Sequence, residues 1–213
     1  MEEVADRIVR YFYDHLVSKD TNQKACVLVR LFKTHPFDEL DEELRQVATT
    51  SLRGAAASPA MKCLILLATA GEKTEWNSRE TSEGHKVIPF VSEKAVQDMP
   101  MVSILLSQLG LSFGSLQKPD PELTLEMEQS PLNVFHVPEA QGSSFVPAQM
   151  EFVIPYGVKS VLGFGGLLPS GDFFTVILFL RVQISHENAE LFKTLALSAK
   201  LAMLAFAGGK VFA

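Results

Sequence analysis

The sequence predicts an α+β fold with a mostly antiparallel sheet flanked by helices. Three observations carry that prediction: helical patterns at both ends of the chain, apolar strand-like runs between them, and a hairpin signal near the C-terminus. Across 2–17, Val4, Ile8, Tyr11, Phe12 and Leu16 recur at spacings of three and four. Glu2, Glu3 and Asp6 suit the positive end of that helix.

The turn Lys19-Asp20-Thr21-Asn22 leads into an apolar strand over 25–32 (ACVLVRLF). Residues 37–48 are acidic and helix-compatible, and His35-Pro36 blocks an earlier start. Small residues over 51–60 read as a flexible connection, and 63–68 (CLILLA) as a second buried strand. A polar, irregular segment over 71–84 holds the only tryptophan, Trp76. Residues 92–109 form a helical pattern with a kink expected at Pro100. Residues 118–121 (KPDP) read as a rigid connector, 133–137 as a short strand and 138–147 as a loop.

The clearest unit follows: strands over 158–168 and 173–183, joined by Pro169-Ser170-Gly171-Asp172. Ser185 caps a final helix, with Glu187 in its first turn. One face of that helix gathers Leu191, Phe192, Leu195, Ala199, Ala202, Met203 and Phe206. Leu197, Leu201 and Leu204 form a separate ridge. The ridge calls for a second partner, either within the domain or in another copy of the chain.

The 213 residues are 47% hydrophobic and 21% charged, which excludes a disordered, collagenous or disulfide-scaffold chain. Nineteen basic side chains face twenty-five acidic ones, a net charge of −6 with no electrostatic footprint for nucleic acid or an anionic membrane. Residues 1–130 carry 14 basic and 20 acidic groups, against 5 and 5 in 131–213. The second stretch is therefore expected to hold the sheet core. Cys26 and Cys63 lie within apolar runs and read as reduced, buried thiols. The acidic N-terminus lacks a signal-peptide pattern. The longest apolar runs fall short of the ~20 residues a membrane span needs, so a cytoplasmic protein is expected.

Several motifs dissolve on inspection. In Gly163-Phe164-Gly165-Gly166 the third glycine of a dinucleotide fingerprint would fall at Leu168, and no helix follows. Strand bulges or close backbone packing explain the cluster better. His15, His35, His85, His136 and His186 show no metal-ligand spacing. No nucleophile elbow is present, and the acidic pairs Asp38-Glu39 and Glu42-Glu43 belong to a solvated helix. Two loops carry what a small-ligand pocket needs. One offers Trp76, Asn77 and Arg79 after a core strand, with His85 beyond them, and the other offers His136. An axial haem ligand among His35, His85 and His136 stays open, as does a small enzyme assembled around Cys26, His85 and His136. The third alternative is a ligand-free dimerisation scaffold.

Residues 133–140 (NVFHVPEA), 152–166 (FVIPYGVKSVLGFGG) and 168–174 (LPSGDFF), with the helix after them, resemble the GAF-like sensory region of bacterial multidomain signalling proteins. Such regions precede histidine kinase, PAS or cyclase modules. The likeness extends upstream through 24–36, 61–85 and 100–101. It implies a single sensory domain over 1–213, with the N- and C-terminal helices packed together and homodimers joined through them. It further implies a small-molecule ligand and an output domain in a longer protein. It carries over no catalytic residues, and the cysteine that attaches tetrapyrroles in phytochrome-type domains has no match, since Phe135 precedes His136. Trp76, Asn77, Arg79, His85 and His136 are the expected ligand-binding residues.

Overall fold

A computed structural model describes residues 1–52, 56–117, 133–206 and 211–212. The chain begins with α1 (Glu2–His15), β1 (Cys26–Pro36), a 3-10 turn (Phe37–Glu39), α2 (Glu42–Ser51) and β2 (Lys62–Gly71). A 3-10 turn (Thr74–Asn77), β3 (Val87–Pro89), α3 (Glu93–Gln97), α4 (Pro100–Gln108) and α5 (Phe113–Gln117) follow. Then come β4 (Val134–Val137), a π-turn (Gln149–Val153), β5 (Ser160–Leu167), β6 (Phe173–Leu180), α6 (His186–Glu190) and α7 (Phe192–Leu204). The six strands form one sheet in the order β3-β2-β1-β6-β5-β4, every neighbouring pair antiparallel. The α+β, antiparallel expectation holds.

Local chemistry explains the boundaries. β1 runs on through His35 and Pro36, and α2 starts only at Glu42, where the Asp41 carboxylate accepts from Leu44 N at 2.8 Å. The single helix expected over 92–109 is two: Ser92 caps α3, and Pro100 stands in the first turn of α4, where a missing N–H costs nothing. The final helix is also divided, at Leu191, with Ser185 Oγ accepting from Asn188 N at 3.3 Å as the sequence suggested. The short β3 and the π-turn had no counterpart in the sequence reading. The 118–121 connector lies outside the described residues, as do 53–55 of the 51–60 connection.

Both faces of the sheet are covered. On one, α1, α2 and α7 bring Ala5, Val9, Phe12, Leu44, Ala196 and Met203 onto Cys26, Val29, Leu31 and Ile65. On the other, α3, α4, α5 and the 138–158 segment pack over Val27, Leu28, Phe32, Leu64 and Leu66. Burial on two sides is why 63–68 reads as an unbroken apolar run instead of an alternating one. It also corrects the helix faces. Tyr11 is 58% exposed and stacks on His15 at 4.7 Å, while Ala5 and Val9 are sealed against the sheet. Flanking α7, Leu191 and Phe206 face outward, while Ala196, Ala199 and Met203 within it point in. Small side chains let a helix lie close on a sheet, so the larger ones flank the contact. Phe12 meets Phe164 at 5.2 Å and Phe192 at 6.4 Å, so α1 and α7 touch on this face, and Glu2 N donates to Val211 O at 3.0 Å.

The glycine cluster in β5 belongs to an unbroken register with β6, with no bulge. A Cβ on Gly165 would sit 2.1 Å from Phe174 O, so close strand packing is the reason for it. At the turn before β6, the buried Asp172 carboxylate accepts from Lys33 Nζ at 2.7 Å, Lys62 Nζ at 2.8 Å and Ser170 Oγ at 3.0 Å. This ties the β5–β6 hairpin to β1 and β2. Burial pushes the Asp172 pKa up, but the two ammonium groups outweigh it and hold the carboxyl below its ordinary value.

This packing generates three predictions. Asp172→Ala strands the buried Lys33 ammonium and the part-buried Lys62 one, and should cost about 3–5 kcal/mol in urea unfolding. Because the folded pKa lies below the unfolded one, the Asp172 contribution is complete above about pH 4 and fades as pH falls further; Asp172→Asn should show a flatter acid limb. Gly165→Ala should destabilise by at least about 3 kcal/mol in thermal melts, since the new methyl meets backbone that cannot yield.

Candidate functional site

The face opposite α1 and α7 is incompletely filled and encloses a cavity of about 710 Å³. Leu28, Arg30 and Phe32, at alternate positions of β1, form its floor with Leu64, Ile177 and Phe179 of the flanking strands. The Met99-Pro100-Met101 joint between α3 and α4 makes one wall. Phe145, Ala148 and Phe152 make another, held in shape by Gln149. The Gln149 amide donates to Ala140 O at 2.9 Å and Val146 O at 2.8 Å and accepts from Gly142 N at 2.9 Å, closing the loop before the π-turn. Of the three non-glycine residues at positive φ among those described, His85 (58°) and Ala148 (56°) both line this cavity. Such backbone is uphill for residues with a Cβ, and it gathers at ligand sites.

Arg30 is the unusual group here. It is 8% exposed in the middle of an apolar floor. Its Nη2 donates to the buried Ser82 Oγ at 2.9 Å, while Nε has no hydrogen-bond partner. Burial lowers its pKa to about 10, which still leaves it charged at neutral pH. Thr69 stands opposite Arg30 in the β1–β2 register, and its buried hydroxyl is likewise unpartnered. The sequence reading passed over Arg30; its signal was a lone charge inside the apolar 25–32 run.

The expected site residues separate. Trp76 lines the cavity, packed edge-on to Phe152 at 5.5 Å and against Tyr156 at 5.0 Å. It rests over Gly71, where a Cβ would come within 3.0 Å of the Trp76 side chain. His85 lines the cavity; desolvation, then the Arg30 charge, hold its imidazole below its ordinary pKa. Asn77 instead closes the end of β2, accepting from Gly71 N at 3.2 Å and donating to Gly71 O at 2.9 Å. Arg79 pairs with Glu2 at 2.7 Å and lies over the Phe212 ring at 4.2 Å, joining this loop to both chain ends.

His136 belongs to a second cavity of about 520 Å³, beside Gln108, Ile184, His186 and Glu190. Its ring stacks on His186 at 6.3 Å, its Nε2 is buried without a partner, and burial lowers its pKa. Gln108 satisfies the His136 backbone at the open edge of β4, accepting from its N–H at 2.7 Å. Of the three histidines considered for haem, His85 lines the larger cavity, His136 the smaller and His35 neither.

Cys26 and Cys63 lie under the helices on the other sheet face, with burial pushing both thiols up to about 12. Cys26, His85 and His136 therefore do not converge. No group of three or more His, Cys, Asp or Glu side chains that could hold a metal ion occurs among the described residues. No helix among them is long and apolar enough to cross a membrane. Comparisons of the chain with protein-family models, curated proteins and solved structures return no match. What the molecule does must be read from its own geometry.

Both thiols should resist iodoacetamide in the native protein at pH 8 and react fully in denaturant, as read by mass spectrometry. Rapid native labelling at either position would contradict the burial described here.

Proposed function

We propose that this chain is a GAF-like sensory input domain that binds a small molecule over one sheet face and relays its presence through the helices on the other. The observation that carries this reading is the alternation of β1. Leu28, Arg30 and Phe32 face the cavity, while Val29 and Leu31 face the α1 and α7 layer. A ligand that favours one of two positions of this strand shifts the helices by its differential affinity for the two states. The six-stranded antiparallel sheet is compatible with the resemblance in 133–174, and the strained backbone at His85 and Ala148 fits a binding site.

In this reading the domain works in the cytoplasm of a bacterium, and any catalysis belongs to an output module of a longer protein. Two copies pair through α7, where Leu197 (49%) and Leu201 (59%) are exposed. Leu204, the third residue of that ridge, packs partly on the core of its own chain, so the contact centres on the other two.

Trp76 is the only tryptophan and lines the cavity, so it reports on occupancy. The neutral probe N-phenyl-1-naphthylamine should brighten on binding, quench Trp76 by energy transfer, and change hydrogen exchange in α1 and α7. If neither it nor a charged apolar probe binds, the sensing reading fails; binding without any change in the helices removes the relay. By light scattering the protein should dimerise with rising concentration, and Leu201→Glu should shift it to monomer at least tenfold more readily. A wild-type chain that remains monomeric throughout would remove the dimer.

A further inference from the structure

We infer that the cavity takes an amphipathic organic monoanion, its carboxylate-type head paired with the Arg30 guanidinium and its apolar body lying among Leu28, Phe32, Leu64, Ile177 and Phe179. The inference rests on reading the cavity as a ligand site, and it adds the chemical class of the ligand.

Arg30 is 8% exposed and lines the cavity, yet among the described residues its hydrogen bonds run only from Nη2, to Ser82 Oγ at 2.9 Å and, at the limit of contact, to Glu83 O at 3.5 Å. Its Nε is buried and unpaired, and so is the hydroxyl of Thr69 across the strand pair. A buried charge without a counter-charge is strongly disfavoured, and a guanidinium is shaped to offer two parallel N–H donors to a carboxylate. The sheet meets the same problem differently three residues along β1. There, on the opposite face, Lys33 is buried with Asp172 at 2.7 Å. Among the described residues no acidic side chain forms an ion pair with Arg30. Arg30 therefore stands over an apolar floor with no ion-pair partner among the described residues.

The number of charges sets the class. Among the described residues Arg30 is the only lysine or arginine lining the cavity; the His85 pKa is held below its ordinary value, and the exposed Glu83 and Asp98 line the same space. One guanidinium can neutralise one carboxylate or sulfonate. A phosphate dianion or a polyphosphate would meet one cation and two carboxylates. The remaining lining is dominated by aliphatic, methionine and aromatic side chains, which suits an apolar body.

The test uses two probes sharing one anilinonaphthalene skeleton, anionic 8-anilinonaphthalene-1-sulfonate and neutral N-phenyl-1-naphthylamine. The whole chain is titrated with each, and octanoate and 1-octanol compete for the bound probes. The sulfonate should bind at least tenfold more tightly than the neutral probe, and octanoate should displace it at lower concentration than 1-octanol. Arg30→Met should weaken the sulfonate at least tenfold and leave the neutral probe unchanged or tighter. Arg30→Lys should keep part of the preference, because charge remains while the fork of donors is lost.

Equal binding of the two probes by the wild-type protein overturns the monoanion while leaving the cavity as a binding site. A preference that survives Arg30→Met also overturns it. Failure of both probes to bind overturns the cavity reading and this inference together. The wild-type comparison decides the matter even where Arg30→Met fails to fold.

Discussion

β1 lies at the centre of the sheet, paired to β2 and β6, and both of its faces are buried. A strand in that position has no solvent side, so each polar side chain it carries must find its partner inside the protein. Lys33 finds one in Asp172, which the β5–β6 turn delivers and Lys62 shares. Among the described residues Arg30 finds only a serine hydroxyl and a distant carbonyl. These two cations stand on opposite faces of one strand and divide the molecule. One side is a closed structural network, and the other is a cavity whose charge is left unanswered.

That division gives the two faces different mechanical characters. The helix layer is sealed by small residues such as Ala5, Ala196 and Ala199 and by the Phe12–Phe164–Phe192 contacts. It fixes the chain ends relative to the sheet, and the Arg79–Glu2 pair binds the Trp76 loop to the same place. The opposite layer is built from three short helices, a π-turn and a loop held by one glutamine side chain. Short elements with few contacts of their own can rearrange at modest cost. The sheet between them joins one layer to the other, and the Arg79–Glu2 pair adds a second link at its edge.

Much of the fold was legible because it depends on local chemistry. The cap at Ser185, the disturbance at Pro100, the turn at Pro169-Ser170-Gly171-Asp172 and the apolar strands each act within a few residues, and a linear pattern records them. The helix faces were less legible. Periodicity finds an apolar stripe, but Tyr11 and Leu191 turned outward because close approach to the sheet favours alanine and valine over larger side chains. Of the expected site residues, Trp76 and His85 reach the large cavity, His136 reaches a different one, and Asn77 and Arg79 serve the backbone and the chain ends. A loop sequence shows which groups are near one another along the chain and is silent about which way each one points.

By itself, then, the sequence determined the class of fold, most of the strands and helices, and the absence of any short catalytic or metal motif. These follow from propensity, period and spacing. Only the tertiary structure decided the sheet order, the assignment of each face, and the isolation of Arg30 on a cavity floor. Those features depend on contacts such as Arg30 with Ser82 and Lys33 with Asp172, made across 52 and 139 residues of chain. Whether a buried charge is compensated depends on which distant side chain folds against it, and no local pattern carries that information.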